Sequence, residues 1–251
     1  MSAEIYLQEA VKLLEKIQTT QLENIRAAAS AFAGSILAGR AVHLFGSGHS
    51  VMPVMDIFPR YGAFVGFHPI LDPRLMWFNV VGPGGARELL WLEREPGYVK
   101  NVLLSHHLDP RDSLLIFSHG GMNAAGIEMA LAGKEAGLTV VGVASASNRK
   151  INQPRHPSGK ALQDIADILI DNCSPAEDAL VEVEGVQGRV AASSTLTAIT
   201  ISMALVAETA AEMSRRGQTP ERVFVSPNVP GVPKTNNEQV FRDYEKFESG
   251  L

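Results

Sequence analysis

Ala41-Val42-His43-Leu44-Phe45-Gly46-Ser47-Gly48-His49-Ser50 is a short apolar run that breaks, without a linker, into a glycine- and serine-rich turn. The apolar half reads as a buried strand and the turn as the opening of a helix. Glycine at 46 and 48 lets the backbone approach an anion closely. Ser47 and Ser50 add hydroxyl donors, and the helix start adds amides. Turns of this kind also occur with no ligand, so the meaning of this one depends on its neighbours.

Working outward, the same rhythm recurs. Ala63 to Phe67 reads as a second, weaker strand, Asp112 to Phe117 as a third, Leu138 to Ala144 as a fourth and Ile168 to Asp171 as a fifth. Helical runs lie between them, notably Ala124 to Ala136 and Leu162 to Ala166. Short apolar strands alternating with helices specify an α/β fold, a three-layer sandwich with a five-stranded parallel sheet covered on both faces. Ligands of such sheets gather at the carboxyl ends of the strands. Upstream, the apolar spacing from Ile5 to Ile17 and the alanine-rich stretch from Leu22 to Leu37 predict two helices, an N-terminal extension over 1–40. Residues 41–251 are expected to form one structural unit with it. That unit carries an insertion around 68–109 with helices near Ala86 to Arg94 and Tyr98 to Leu104. A further helix is expected from Leu196 to Arg215, followed by a Pro- and Asn-rich tail.

Composition narrows the function. A net charge of −5 argues against a nucleic-acid partner, which usually meets a basic face. It does not oppose a phosphate ligand, which backbone amides can hold. The single cysteine, Cys173, permits no intramolecular disulfide and fits a reducing cytoplasm. No basic-then-apolar leader follows Met1, and no uninterrupted apolar stretch reaches membrane-spanning length. The expected location is therefore cytoplasmic, with no membrane partner.

Gly46 and Gly48 are half of a dinucleotide fingerprint. The third glycine is missing, Met52 standing near its place, and no acidic residue ends the second strand to hold a ribose. That reading fails. A second turn, Ser118-His119-Gly120-Gly121-Met122-Asn123, again lies between strand and helix, with Asn123 suited to cap the helix. A third follows the fourth strand at Ser145-Ala146-Ser147-Asn148. Capping alone explains one such turn. Three at the ends of parallel strands favour an anion site. Arg155-His156-Pro157-Ser158-Gly159-Lys160 is a basic loop, more often solvated than functional, whose charges would otherwise close over a ligand. Ser193-Ser194-Thr195 precedes the long C-terminal-half helix and can cap it while meeting phosphate or sugar oxygens.

These turns resemble those of the sugar isomerase (SIS) domain family, and more closely a bacterial phosphosugar-binding branch of it. The resemblance rests on Phe45 to Ser50, Asn123 with Ile127-Glu128-Met129-Ala130, Arg155 to Lys160 and Ala166-Asp167 with Asp171-Asn172. It continues through Glu177-Asp178-Ala179, Ser193 to Thr195 and Val225 to Val229, and so covers nearly the whole chain. It implies a flavodoxin-like five-stranded parallel sheet, a homodimer or homotetramer, and a phosphorylated sugar as ligand. In the family the second turn usually carries another serine where Gly120 stands. A glutamate usually follows the first turn where Asp56 stands.

The expected phosphosugar-binding set is Gly46, Ser47, Gly48, His49, Ser50, Ser118, His119, Gly120, Gly121, Asn123, Ser145, Ser194 and Thr195. Aldose–ketose isomerisation needs a base beside the carbonyl and a group that shuttles a proton between oxygens. The catalytic candidates are Asp56, Glu128 and His156, with His49 and His119 as alternative imidazoles. No cofactor and no metal are expected. The reading is a cofactor-independent sugar-phosphate isomerase or related lyase. The alternative is a non-catalytic phosphosugar sensor or regulatory subunit.

Overall fold

The structure is a computed structural model that describes residues 2–251. Two helices, α1 (Ser2–Thr20) and α2 (Leu22–Leu37), precede the first strand. The sheet is built from β1 (Val42–Gly46), β2 (Phe67–Pro69), β3 (Ser113–Phe117), β4 (Thr139–Ala144) and β5 (Ile168–Asp171). Its order is β2-β1-β3-β4-β5 and every pairing is parallel. The chain therefore reverses its direction of winding between β1 and β3, where Gly46 pairs with Phe117. The two serine turns consequently leave the sheet side by side.

Side chains alternate across the strands and build two cores. Val42, Leu44, Leu115, Phe117 and Val143 pack on one face with Phe32, Val54, Ile201 and Leu205. These partners come from α2, α3 (Val51–Ile57) and α9 (Ser194–Arg215). Phe45, Leu114, Ile116 and Val140 pack on the other face with Leu89, Val99, Ile127 and Leu162. That layer is made of α4 (Ala86–Leu92), α5 (Tyr98–Leu103), α6 (Ala124–Glu135) and α8 (Leu162–Ile165). A short helix α7 (Ala146–Ile151) follows β4. The 22-residue α9 has the length and apolar composition of a membrane span, and here it buries Ile201, Ser202, Leu205 and Thr209 in the fold.

One expectation needs correction, and two elements were not foreseen. The second strand is not Ala63 to Phe67 but the three residues Phe67–Pro69. Ala63 and Phe64 instead make an antiparallel bridge to the 223–224 segment. The tail forms α10 (Asn236–Glu248), whose Val240 is buried and whose Tyr244 stacks on Phe58. A hairpin of β6 (Val181–Glu182) and β7 (Arg189–Val190) delivers the chain to α9.

At the opposite end of β1, Asp112 is a buried anchor. It accepts from Arg40 at 3.0 and 3.2 Å, from the amides of Ala41 and Asp109 at 3.0 and 2.8 Å, and contacts His43 Nε2 at 3.1 Å. Burial opposes its ionisation, but the bonds from His43, Arg40 and the amides prevail and hold its carboxyl down at about 2.

Candidate functional site

The first turn is shaped by what it cannot hold. A Cβ on Gly46 would meet the Ser50 carbonyl oxygen at 2.2 Å. Gly48 adopts a left-handed φ of +59°, which favours glycine. Between them Ser47 is extended, and its hydroxyl donates to Glu93 Oε2 at 2.7 Å. The second turn folds on Ser118, whose Oγ accepts from the Gly121 amide at 3.1 Å. Gly121 is left-handed, and a Cβ there would strike the side chain of Gln163.

These turns wall a cleft of about 330 Å³, whose lining includes Ser47, His49, Glu93, Ser118, Asp178 and Thr195. A narrow lobe runs deeper, among Ser50, Ser118, Asn172, Ser194 and Thr195 over a floor of Phe117, Val143 and Ala198. This lobe is rich in hydroxyls, a suitable seat for an anion, and lies against the start of α9.

Glu93 is the buried acid of the cleft, 5% exposed. Burial raises its pKa, against the bonds from Ser47 and Asn123 and the charges of Arg94 and His49. A carboxyl with a raised pKa in a cleft is a candidate acid–base group. His49 lies at the mouth, its ring 4.4 Å from that of Trp77. His119 is fixed by others: Asn172 Nδ2 donates to its Nδ1 at 3.3 Å, and its Nε2 donates to the Ala176 carbonyl at 3.3 Å. That arrangement selects the Nε2–H tautomer.

Asp178 fills part of the start of α9. Its Oδ1 accepts from the amides of Ser193 and Ser194 at 3.0 and 2.7 Å, and its Oδ2 from the Ser194 hydroxyl at 2.6 Å. Ser194 is thus committed to Asp178 and does not cap the helix by its own side chain, while Thr195 lines both the cleft and its lobe.

Of the expected binding residues, Gly46 shapes the first turn and Gly121 the second. Ser47, Gly48, His49, Ser50, Ser118, His119, Gly120, Asn123, Ser194 and Thr195 border the cleft or its lobe. Ser145 does not come to it. Its buried hydroxyl donates to the Ser174 carbonyl at 2.8 Å and accepts from the Asn148 amide at 3.1 Å, capping α7. Asn123 occupies the N-cap position of α6 but makes no side-chain cap; its amide serves Glu93.

The three expected catalytic residues are not together. Asp56 lies in the last turn of α3, pairs with Arg60 at 3.2 Å and borders a different depression with Phe224 and Phe241. Five residues of helix carry it about 7 Å along α3 from Val51, away from the turn. Glu128 and His156 do meet, at 3.5 Å, and Glu128 also accepts from the amides of Gly97 at 2.5 Å and Val99 at 3.4 Å. Glu128 caps α5 and tethers the basic loop, while His156 borders a neighbouring cavity that shares Gly120 and Asn123 with the cleft.

Sequence reasoning gave no role to Glu93, Trp77, Asn172 or Asp178. Asn172 and Asp178 stand in motifs that carried the resemblance, and this was a usable signal. Glu93 and Trp77 lie in the insertion, where no turn or spacing marks them. Among the described residues, no group of three or more His, Cys, Asp or Glu side chains is placed to hold a metal ion.

Residues 5–145, more than half of the chain, match the SIS domain model. A UPF0309 protein from Caldanaerobacter subterraneus subsp. tengcongensis is 35% identical over 246 residues, 97% of each chain. Another, from Thermoanaerobacter pseudethanolicus, is 34% identical over 245 residues, 96% of each chain. Among solved structures, a phosphoheptose isomerase from Francisella tularensis superposes with a TM-score of 0.54 at 14% identity, covering 82% of this chain and 95% of that one. The phosphoheptose isomerase of Neisseria gonorrhoeae gives 0.54 at 13% identity, covering 82% and 96%. Likeness at such low identity is one of fold, and it agrees with the five-stranded parallel sheet. By sequence and by architecture, the chain belongs to the SIS domain family.

Proposed function

We propose that the cleft binds a phosphorylated sugar and that the chain is a cofactor-independent sugar-phosphate isomerase. The observation that carries the chemistry is Glu93: a buried carboxyl with a raised pKa, held by Ser47 in the wall of a hydroxyl-lined cleft. The phosphate sits in the deep lobe, on the hydroxyls of Ser50, Ser118 and Thr195. Glu93 takes the proton from the carbon beside the carbonyl, leaving an enediol, and returns it to the former carbonyl carbon. His49, at the mouth, moves the second proton between the two oxygens. Carbon is neither oxidised nor reduced overall, and no co-reactant is consumed. Glu128 and His156 act from behind, as positioning residues that hold the rim.

The same reading places the protein in the cytoplasm as a homodimer or homotetramer. Exposed apolar side chains on α1 (Leu7 and Val11) and on the insertion (Phe78, Val80 and Val81) support a second copy covering them.

Thermal shift with matched phosphorylated and unphosphorylated sugars tests binding, because a ligand of the native state raises its melting temperature. Stabilisation by the unphosphorylated sugars alone rejects the phosphate seat. Uptake of deuterium from heavy water into a bound phosphosugar, lost in Glu93→Gln, tests catalysis. A tight-binding phosphosugar that exchanges no proton rejects the isomerase and leaves the sensor.

A further inference from the structure

Beside the cleft lies a second cavity of about 490 Å³, and the two share Gly120 and Asn123 as a common wall. Their charges differ. The first cavity contains the carboxylates of Glu93 and Asp178, and the anion seat proposed in its lobe is made from hydroxyls. The second is bordered by Arg94 and Arg155, with the side-chain amides of Asn148, Asn152 and Gln153, and no carboxylate borders it.

Most arginines of this protein are spent on carboxylates: Arg40 on Asp112, Arg74 on Asp72, Arg149 on Asp164, Arg222 on Asp243. Arg94 and Arg155 form no ion pair among the described residues, yet both border this cavity. The nearby Glu128 is not within ion-pair distance of either; its oxygens face the Gly97 and Val99 amides and His156. Two unpaired guanidinium groups beside the Gln153 side-chain amide recognise an oxyanion, which arginine grips with paired N–H bonds.

We propose that this second cavity is an anion subsite, and that the ligand is a phosphosugar carrying a second anionic group, carboxylate or phosphate, at the end remote from the first phosphate. The ligand passes over Gly120, where a side chain would otherwise stand between the two cavities. Asn123 serves both sides, its amide reaching Glu93 in the first cavity while it borders the second. This inference rests on the phosphosugar reading of the first cleft.

The test is calorimetric titration of the wild-type chain with fructose 6-phosphate, fructose 1,6-bisphosphate, glucose 6-phosphate and 6-phosphogluconate. The bisphosphate and the phosphosugar acid are expected to bind at least tenfold more tightly than their partners with a single phosphate. The bisphosphate and carboxylate arms say which second group is preferred. In Arg94→Gln, Arg155→Gln and the double variant, that advantage is expected to shrink to within twofold while monophosphate affinity stays the same. Both arginines are exposed and unpaired, so unchanged melting temperatures will show that the variants are folded. Equal affinity for ligands with one and with two anionic groups overturns the second subsite and leaves the first reading intact. An equal loss of monophosphate binding in the variants also overturns it, because the sugar's own phosphate then sits on the arginines. Absence of binding by every phosphorylated sugar overturns the reading of the first cleft, and this one with it.

Discussion

Glu93 Oε2 accepts a 2.7 Å hydrogen bond from Ser47 Oγ, joining a carboxyl of the insertion to the turn that ends the first strand. The bond stabilises the charged form and opposes the effect of burial, so it sets where Glu93 titrates. Base catalysis by Glu93 requires the ionised carboxylate, so proton exchange should rise with pH through an acid limb lying above the ordinary carboxylate range. Ser47→Ala removes the stabilising bond and should move that limb to higher pH. The pH profile of deuterium uptake measures this directly. A limb unmoved in Ser47→Ala would separate Glu93 from the chemistry.

Glu128 is expected to matter for stability before it matters for chemistry. It accepts the two amides at the start of α5 and meets His156 at 3.5 Å. Glu128→Ala strands those amides and should cost about 1–3 kcal/mol in urea unfolding. Glu128→Gln keeps an acceptor and should cost less. Equal losses in the two variants would contradict the capping role.

The glycines of the two turns should respond unequally. Gly46→Ala forces a Cβ to within 2.2 Å of the Ser50 carbonyl and should destabilise by roughly 1–3 kcal/mol or more. At Gly120 the nearest atom to an added Cβ is Asn148 Oδ1 at 3.6 Å, an ordinary contact. Gly120→Ala should therefore shift stability by no more than about 0.5 kcal/mol. Comparing the two melting temperatures tests the pair.

Acid should loosen the packing of α10. His68 faces His43 and His106 at ring distances of 5.4 and 5.9 Å, and its Nδ1 contacts the Tyr244 hydroxyl at 2.8 Å. Burial first, then the neighbouring imidazoles, lowers its pKa from 6.5 to about 4. Between those values the unfolded chain binds the proton and the folded chain does not, so stability falls as pH drops from 6.5 to about 4 and levels off below. The contribution is at most on the order of 3 kcal/mol. Denaturation across this range should show the slope, and His68→Asn should flatten it.

How much of this was readable in the chain depends on how local each feature is. Strands β1, β3 and β4 are buried on both faces and β5 is half-buried at the edge, and their short apolar runs announce them without any long-range information. The edge strand β2 is three residues long, and the more apolar Ala63-Phe64-Val65 beside it, committed elsewhere, outweighs it as a signal. Ser47 and Ser118 were legible because the backbone geometry that places them is local. Glu93 was not, because it reaches the cleft only when the insertion folds back across 46 positions onto Ser47. Asp56 misled for a related reason, since nearness in sequence to a turn says little once a helix carries the chain away from it.

Glu128 also couples two distant segments. Residues 97–99 and the loop at 156 are distant in sequence, and the same carboxylate holds both. Because one carboxylate ties both, its loss is expected to release the two segments together rather than one at a time.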